Sequence, residues 1–116
     1  MKWILDNISI SKKLLKNKQL IFGTIDTFLI WRLTNKKNHL TDATNASRTL
    51  MYNINSNKWD EEILKKLNIP KSILPKVKNS ADDFGITSKT VIGEEIPINA
   101  VSVSYTHLTL PTIYSV

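Results

Sequence analysis

The amino-acid sequence predicts an α/β fold, and three observations carry that expectation. Short apolar runs alternate with stretches of helical spacing. Between His39 and Tyr52 the order reads strand, helix, strand, which is the rhythm of an α/β domain. The composition is globular, with 41% hydrophobic and 22% charged residues, far from the polar, highly charged mixture that stays disordered. At 116 residues the chain forms at most one small domain, burying roughly two-thirds of its unfolded surface.

Trp3, Ile4 and Ile8 fall at near-helical spacing, predicting one or two helical pieces before Leu15, with Ser11 as the cap of a second. Leu20-Ile21-Phe22, ended by Gly23, reads as a short buried strand. Thr24 as cap and Asp26 as a first-turn acid then open a helix through Leu33. That helix is apolar around most of its circumference, so it should pack on more than one neighbour inside something larger. Asn35 to Asn38 is a turn and His39 to Ala43 the next strand.

The strongest local signal begins at Trp59. Asp60 is placed as an N-cap, Trp59 and Leu64 as a hydrophobic staple, and Glu61 and Glu62 at the positive helix start. Lys65 and Lys66 sit four residues after those acids, Asn68 ends the helix, and Pro70 and Pro75 bracket a short further turn. Phe84 to Ile86 and Thr90 to Ile92 read as strand-like runs divided by Gly85 and Gly93. All three tryptophans, Trp3, Trp31 and Trp59, are expected in the core.

The net charge is +6 and the pI about 9.6. Taken alone these permit a basic module that binds nucleic acid or an acidic partner. Against it, only Arg32 and Arg48 are arginines, and the lysines are scattered in pairs rather than gathered on one stripe. Cysteine is absent, which excludes a disulfide framework and a thiolate zinc site. Neither a signal peptide at Met1 nor a membrane-spanning run is expected. Every formally charged residue lies at or before Glu95, and the Ser/Thr/Tyr/Val string after Ser102 has high β propensity.

Candidate chemistry is sparse. Gly23, Gly85 and Gly93 are too far apart for a phosphate loop. His39 and His107 lack a ligand-spaced partner, and Ser47 has no local base. Asp26 could be a base or a Mg²⁺ ligand, but its place at a helix start favours capping and dipole compensation. Asp42 ends a strand, where acids often face clefts in α/β folds. Its neighbours Thr41 and Asn45 equally suit a turn held by side-chain hydrogen bonds.

The run Gly23-Thr24-Ile25-Asp26-Thr27-Phe28-Leu29-Ile30-Trp31-Arg32-Leu33-Thr34 is similar to the G-T-[IV]-D-T-[WF]-L-I-W-[KR]-L-T run of the glycerol kinases in the FGGY carbohydrate kinase family. Thr41-Asp42-Ala43-Thr44-Asn45-Ala46-Ser47-Arg48-Thr49 resembles that family's T-D-x-[ST]-N-A-S-R-T. Tyr52-Asn53-Ile54, Trp59-Asp60-Glu61 and the Ile69-Pro70 to Leu74-Pro75 stretch follow in the family's order. Lys2 to Asn7 resembles the end of the first family signature. Xylulose and gluconate kinases carry a small residue where Arg48 stands, so the arginine points to glycerol as acceptor.

The resemblance implies an internal fragment, residues 1–101, of an actin-like, ribonuclease-H-like N-terminal domain. For the intact parent it implies transfer of the ATP γ-phosphoryl group to glycerol with Mg²⁺, in a cytoplasmic homo-oligomer with no nucleic-acid or membrane partner. The family motif residues Gly23, Thr24, Asp26, Thr27, Trp31, Asp42, Asn45, Ser47 and Arg48 are expected to be structural. No catalytic, substrate, cofactor or metal residue is carried over. The glycerol-contacting Arg-Glu pair, Trp and Tyr of the family are expected before Met1, and the adenine and phosphate loops beyond Val116. Residues 81–95 lack the glycine-rich, arginine-bearing loop with which some bacterial members bind a sugar-bisphosphate inhibitor.

The family base, an aspartate, is expected where Ser104 stands, and a serine hydroxyl accepts no proton usefully near neutral pH. The fragment is therefore expected to be inactive. Residues 102–116 resemble a translation of sequencing-adapter DNA and are expected to be a non-native tail.

Overall fold

The computed structural model describes residues 1–103. Six α-helices and four short strands alternate in it: α1 (Lys2–Asn7), α2 (Ser9–Lys16), α3 (Ile25–Leu33), β1 (Leu40–Asp42), α4 (Ala43–Ala46), β2 (Tyr52–Asn53), β3 (Lys58–Trp59), α5 (Glu61–Leu67), β4 (Lys76–Lys78) and α6 (Lys89–Ile92). Strands β1 and β4 pair in parallel, with Leu40 opposite Lys76 and Asp42 opposite Lys78. Strands β2 and β3 form an antiparallel hairpin. Its turn is held by the Asn53 side chain, whose Oδ1 accepts from the Asn55 and Ser56 amides.

The core lies between the first helices, the hairpin and α5. Leu5, Ala46, Met51, Trp59, Leu64, Ile69, Ile73 and Leu74 are buried together there, with Leu15, Phe22, Tyr52 and Val77 packed around them. Trp59 anchors this core. Its ring meets Tyr52 edge-on with centroids 5.8 Å apart, and its Nε1 donates to the Pro75 carbonyl at 2.9 Å. The indole thus buries a large apolar area without orphaning its N–H.

The α5 signals are met. The Asp60 carboxylate accepts from the Ile63 amide at 3.1 Å, Lys66 pairs with Glu62 at 3.2 Å, and Asn68 closes the helix in the left-handed conformation at φ 54°. The acid Glu61 pairs with Lys71. Two α-helices rather than one fill the first segment, but Ser11 is no cap. It sits inside α2 and its hydroxyl donates to the Ile4 and Ile8 carbonyls, tying α2 to α1.

Other expectations are corrected. Leu20 to Phe22 is extended chain outside any strand, joined to the 3-10 turn Lys71–Ile73 by one bond from the Phe22 amide to the Ile73 carbonyl. Apolar content alone could not tell it from a strand, because pairing needs a neighbour of matching register. Thr90 to Ile92 lies in α6, whose Ser88 cap accepts from the Thr90 amide; a local cap overrides β propensity here. Trp3 is 66% exposed, and only Trp59 of the three tryptophans is buried.

Residues 80–87 and 96–101 run antiparallel as an irregular ribbon, through bonds such as Ile98 N to Gly85 O and Val101 N to Ser80 O. Phe84, fully buried, lies in this ribbon, which lacks the regular pairing expected of a Phe84–Ile86 strand. Gly85 adopts φ +104°, and a side chain there would collide with Asn38. Helix α3 buries Thr27 and Ile30, while Ile25, Phe28 and Leu29 are 70%, 53% and 51% exposed. Its all-round apolar surface therefore has cover on one side only. Among the described residues no helix is long and apolar enough to cross a membrane.

Candidate functional site

Successive residues of a strand face opposite sides, and on β1 this places Thr41 and Asp42 in two different polar clusters. Thr41 Oγ1 donates to Asp26 Oδ2 at 2.6 Å. The Thr24 hydroxyl donates to the other oxygen of the same carboxylate. Thr24 occupies the N-cap position of α3, but its side chain bonds Asp26 rather than a helix amide. Asp26 therefore does more than compensate the helix dipole: it pins the start of α3 to β1. Gly23 has a steric reason, since a Cβ there would lie 2.6 Å from Thr27 Cβ. Thr27 is buried with its hydroxyl unpartnered.

The second cluster is centred on Asp42, which is wholly buried. Its Oδ1 accepts from the Asn45 amide at 3.0 Å and from Asn45 Nδ2 at 2.7 Å. Its Oδ2 accepts from the Thr44 amide at 3.1 Å, the Thr44 hydroxyl at 2.5 Å and the Ser80 hydroxyl at 2.6 Å. Burial pushes the Asp42 pKa up, but the bonds from Ser80, Thr44 and Asn45 outweigh it and hold the carboxyl below the ordinary aspartate value. With both oxygens occupied, Asp42 has no lone pair directed at a substrate or an ion. Of the two roles open to it in the sequence, the hydrogen-bonded turn is the one built here.

Beside this cluster an open depression of about 400 Å³ is lined by Tyr52, Asn57, Lys76, Lys78 and Asp82 among others. Burial, and then the nearby Asp42 charge, raise the Tyr52 pKa. The Asp83 amide, and then the Lys78 and Lys76 charges, lower that of Asp82. Lys78 is committed within the chain, donating to the Asp83 carbonyl at 2.5 Å. The depression holds no paired nucleophile and base. Among the described residues no three His, Asp or Glu side chains converge on a metal position.

Of the other motif residues, Ser47 donates to the Thr44 carbonyl at 2.9 Å. Trp31 is half-buried under the Lys36 ammonium, 5.5 Å from its ring. Arg48 is exposed on the 3-10 turn Ser47–Thr49. His39 sets its Nε2 2.6 Å from the Phe22 carbonyl. The structure thus draws Asp26 with Thr24, and Asp42 with Asn45, into working clusters, and leaves Arg48 apart. Ser80 was missed by sequence reasoning; thirty-odd residues of chain separate it from Asp42, and nothing local marks it. Ser104 lies outside the described residues.

Ser102 carries a buried hydroxyl without a hydrogen-bond partner. An unsatisfied buried hydroxyl costs about 1–3 kcal/mol. Ser102→Ala is therefore expected to stabilise the chain by about 1 kcal/mol, read as a higher urea midpoint at unchanged slope.

Residues 1–103 match the family described as "FGGY family of carbohydrate kinases, N-terminal domain". The chain is 52% identical over 102 residues to glycerol kinase of Agrobacterium fabrum, and 54% over 102 residues to that of Petrotoga mobilis, covering 88% of this chain in both cases. It spans about 20% of the length of either relative. Among solved structures it is similar to Plasmodium falciparum glycerol kinase with ADP, with a TM-score of 0.79 and 36% identity over 87% of this chain and 20% of that one. Xylulose kinase from Lactobacillus acidophilus superposes with a TM-score of 0.63 at 25% identity, over 83% of this chain and 20% of that one.

Proposed function

Because this chain belongs to the FGGY family of carbohydrate kinases, we propose that it is part of the N-terminal domain of a glycerol kinase. The whole enzyme transfers the ATP γ-phosphoryl group to glycerol, giving glycerol 3-phosphate. The observation that carries the choice of acceptor is the identity of 52–54% to glycerol kinases along nearly the whole chain. Similarity to the xylulose and gluconate kinase structures is 25%. The uncovered apolar side of α3 supports membership in a longer protein, because Ile25, Phe28 and Leu29 form a face that water solvates poorly.

Neither ATP nor Mg²⁺ is proposed to bind the described residues. The carboxylates of Asp26 and Asp42 are taken up by hydroxyl and amide donors, and no glycine-rich loop is present. Both groups are assigned to other parts of the parent, which works as a cytoplasmic homo-oligomer. The motif residues Gly23, Thr24, Asp26, Thr27, Trp31, Asp42, Asn45, Ser47 and Arg48 serve the fold. Residues 102–116 are assigned to a segment foreign to the family. The family match ends at residue 103, which supports this for the residues beyond it.

Phosphoryl transfer needs an aligned donor and acceptor and a carboxylate to take the alcohol proton. With Ser104 at the base position, the 116-residue chain supplies no such carboxylate. Purified free of host enzyme, it should release no ADP from ATP and glycerol in a coupled assay. The full-length parent should phosphorylate glycerol in preference to xylulose and gluconate. Turnover by the 116-residue chain, or a parent that prefers a sugar acceptor, would overturn the reading.

A further inference from the structure

Immediately after the 3-10 turn Ser47–Thr49, Leu50 adopts φ 64° and ψ 10°, in the left-handed region. Among the described residues the other non-glycine positions with positive φ are three asparagines and two lysines, so Leu50 is the one apolar side chain held this way. A Cβ in this conformation turns the folding equilibrium the wrong way by about fivefold to thirtyfold, and leucine has no polar atom with which to offset it. The conformation is imposed from both sides. Thr49 Oγ1 donates to the Ala46 carbonyl at 2.6 Å and accepts from the Met51 amide at 3.2 Å, while the Met51 carbonyl accepts from the Asp60 amide at 2.8 Å. Inside this chain the side chain gains nothing in return, being 84% exposed. Strain at an over-determined position points to a role met by something else.

Leu50 stands at an open groove of about 400 Å³ whose apolar lining includes Phe22, Met51 and Leu67. Lys2 and Arg48 also line it, and no acidic residue does. Lys2 is paired with Asp6 at 3.0 Å. The exposed Arg48 has no carboxylate partner among the described residues. We infer that this groove is a docking seat for a segment of the parent outside residues 1–103, one that carries a large apolar side chain beside an Asp or Glu. The apolar side chain lies in the groove against Leu50, and the carboxylate meets the Arg48 guanidinium, whose planar fork binds it through two parallel N–H donors. The inference rests on the reading of this chain as part of a longer protein; it spans about 20% of the glycerol kinases it resembles. A small molecule is the poorer occupant, because the groove is open and Leu50 projects beside it as a knob that needs a surface around it. A cationic segment would be repelled by Arg48, and a wholly apolar one would bury the guanidinium unpaired, which is costly. Arg48, left apart by this chain's own contacts, then serves the fold of the parent.

Leu50→Gly tests the seat through the sign of its effect. In the 116-residue chain it relieves the strain and uncovers no core, so the folded-to-unfolded ratio should rise about threefold to tenfold, read as a higher urea midpoint. In the full-length parent, where the side chain is covered, the loss of a buried leucine outweighs the strain, and the ratio should fall by about fivefold or more. A rise in both proteins would overturn the seat. Leu50→p-benzoylphenylalanine in the parent, irradiated and digested, identifies the occupant. The expected crosslink lies within one polypeptide, to a peptide from outside residues 1–103 with an Asp or Glu next to the captured residue. Arg48→Glu should then lower the parent's urea midpoint, and reversing the captured acid to arginine should restore it. No crosslink, a crosslink between two copies, or a captured peptide without an acid would overturn the proposal. None of these readouts uses turnover, so a parent inactive on glycerol would sink the kinase reading and leave the seat to these measurements.

Discussion

Asp42→Ala is expected to abolish the cooperative unfolding transition of this chain at ordinary temperature. The substitution removes the acceptor for the Thr44 and Asn45 amides, the Asn45 side-chain amide and the hydroxyls of Thr44 and Ser80. Each buried donor left without an acceptor costs about 1–3 kcal/mol. Water entering the cavity recovers part of that, so a net loss of about 3 kcal/mol or more is expected. Asp42→Asn should be milder, because Oδ1 keeps an equivalent and hydroxyls can turn to accept. The Thr44 amide cannot turn, and it meets an NH₂ group.

The same carboxylate sets an acid limit. Its folded pKa lies below the unfolded value, so on acidification the unfolded chain takes up the proton first. The stability Asp42 contributes is complete above about pH 4, the unfolded aspartate range, and drains away as pH falls through the lower folded value. Urea midpoints measured between neutral pH and pH 3 should fall in this window in the natural chain. The Asp42→Asn chain should start lower and lose less. Parallel loss in both would show that other carboxylates govern the acid limit.

Trp59→Ala is the second large effect. It empties the largest side chain from the main core, removes the edge-on contact with Tyr52, and leaves the Pro75 carbonyl without its donor. Aromatic-to-alanine changes in cores cost about 3–5 kcal/mol. Loss of near-ultraviolet dichroism with dye binding would be the readout. Trp3→Ala, on an exposed face, should change stability by no more than about 0.5 kcal/mol. Comparable losses in both would mean that burial does not rank these residues.

Local chemistry explains what could be read in advance. Helix α5 was legible to its caps because its start, its staple and its left-handed stop are all set by residues within reach of one another. The cap at Asp60 and the stop at Asn68 need no distant partner. The parallel pairing of β1 with β4 was not legible, since Lys76 to Lys78 offers a single apolar residue, Val77, too short a run to mark a strand, and gains its strand character from the edge that β1 offers. Leu20 to Phe22 failed in the opposite sense: it has strand-like residues, yet its one backbone bond to another segment runs from the Phe22 amide to the Ile73 carbonyl and is not continued into a ladder. Asp42 had two roles open to it in the sequence, cleft acid or turn residue, and its local bonds to Thr44 and Asn45 agree with the second. The bond that makes it a hub, from Ser80, comes from a distant part of the chain.

By itself the sequence determined the family, the α/β class, the caps of α5 and the presence of two motif carboxylates, because motif spacing and short-range hydrogen bonding are properties of neighbouring residues. The tertiary structure alone decided that Asp26 pins a helix to a strand, that Asp42 is saturated rather than available, and that one face of α3 is uncovered. Those outcomes depend on which distant donors and apolar surfaces the folded chain brings together. No local pattern encodes that choice.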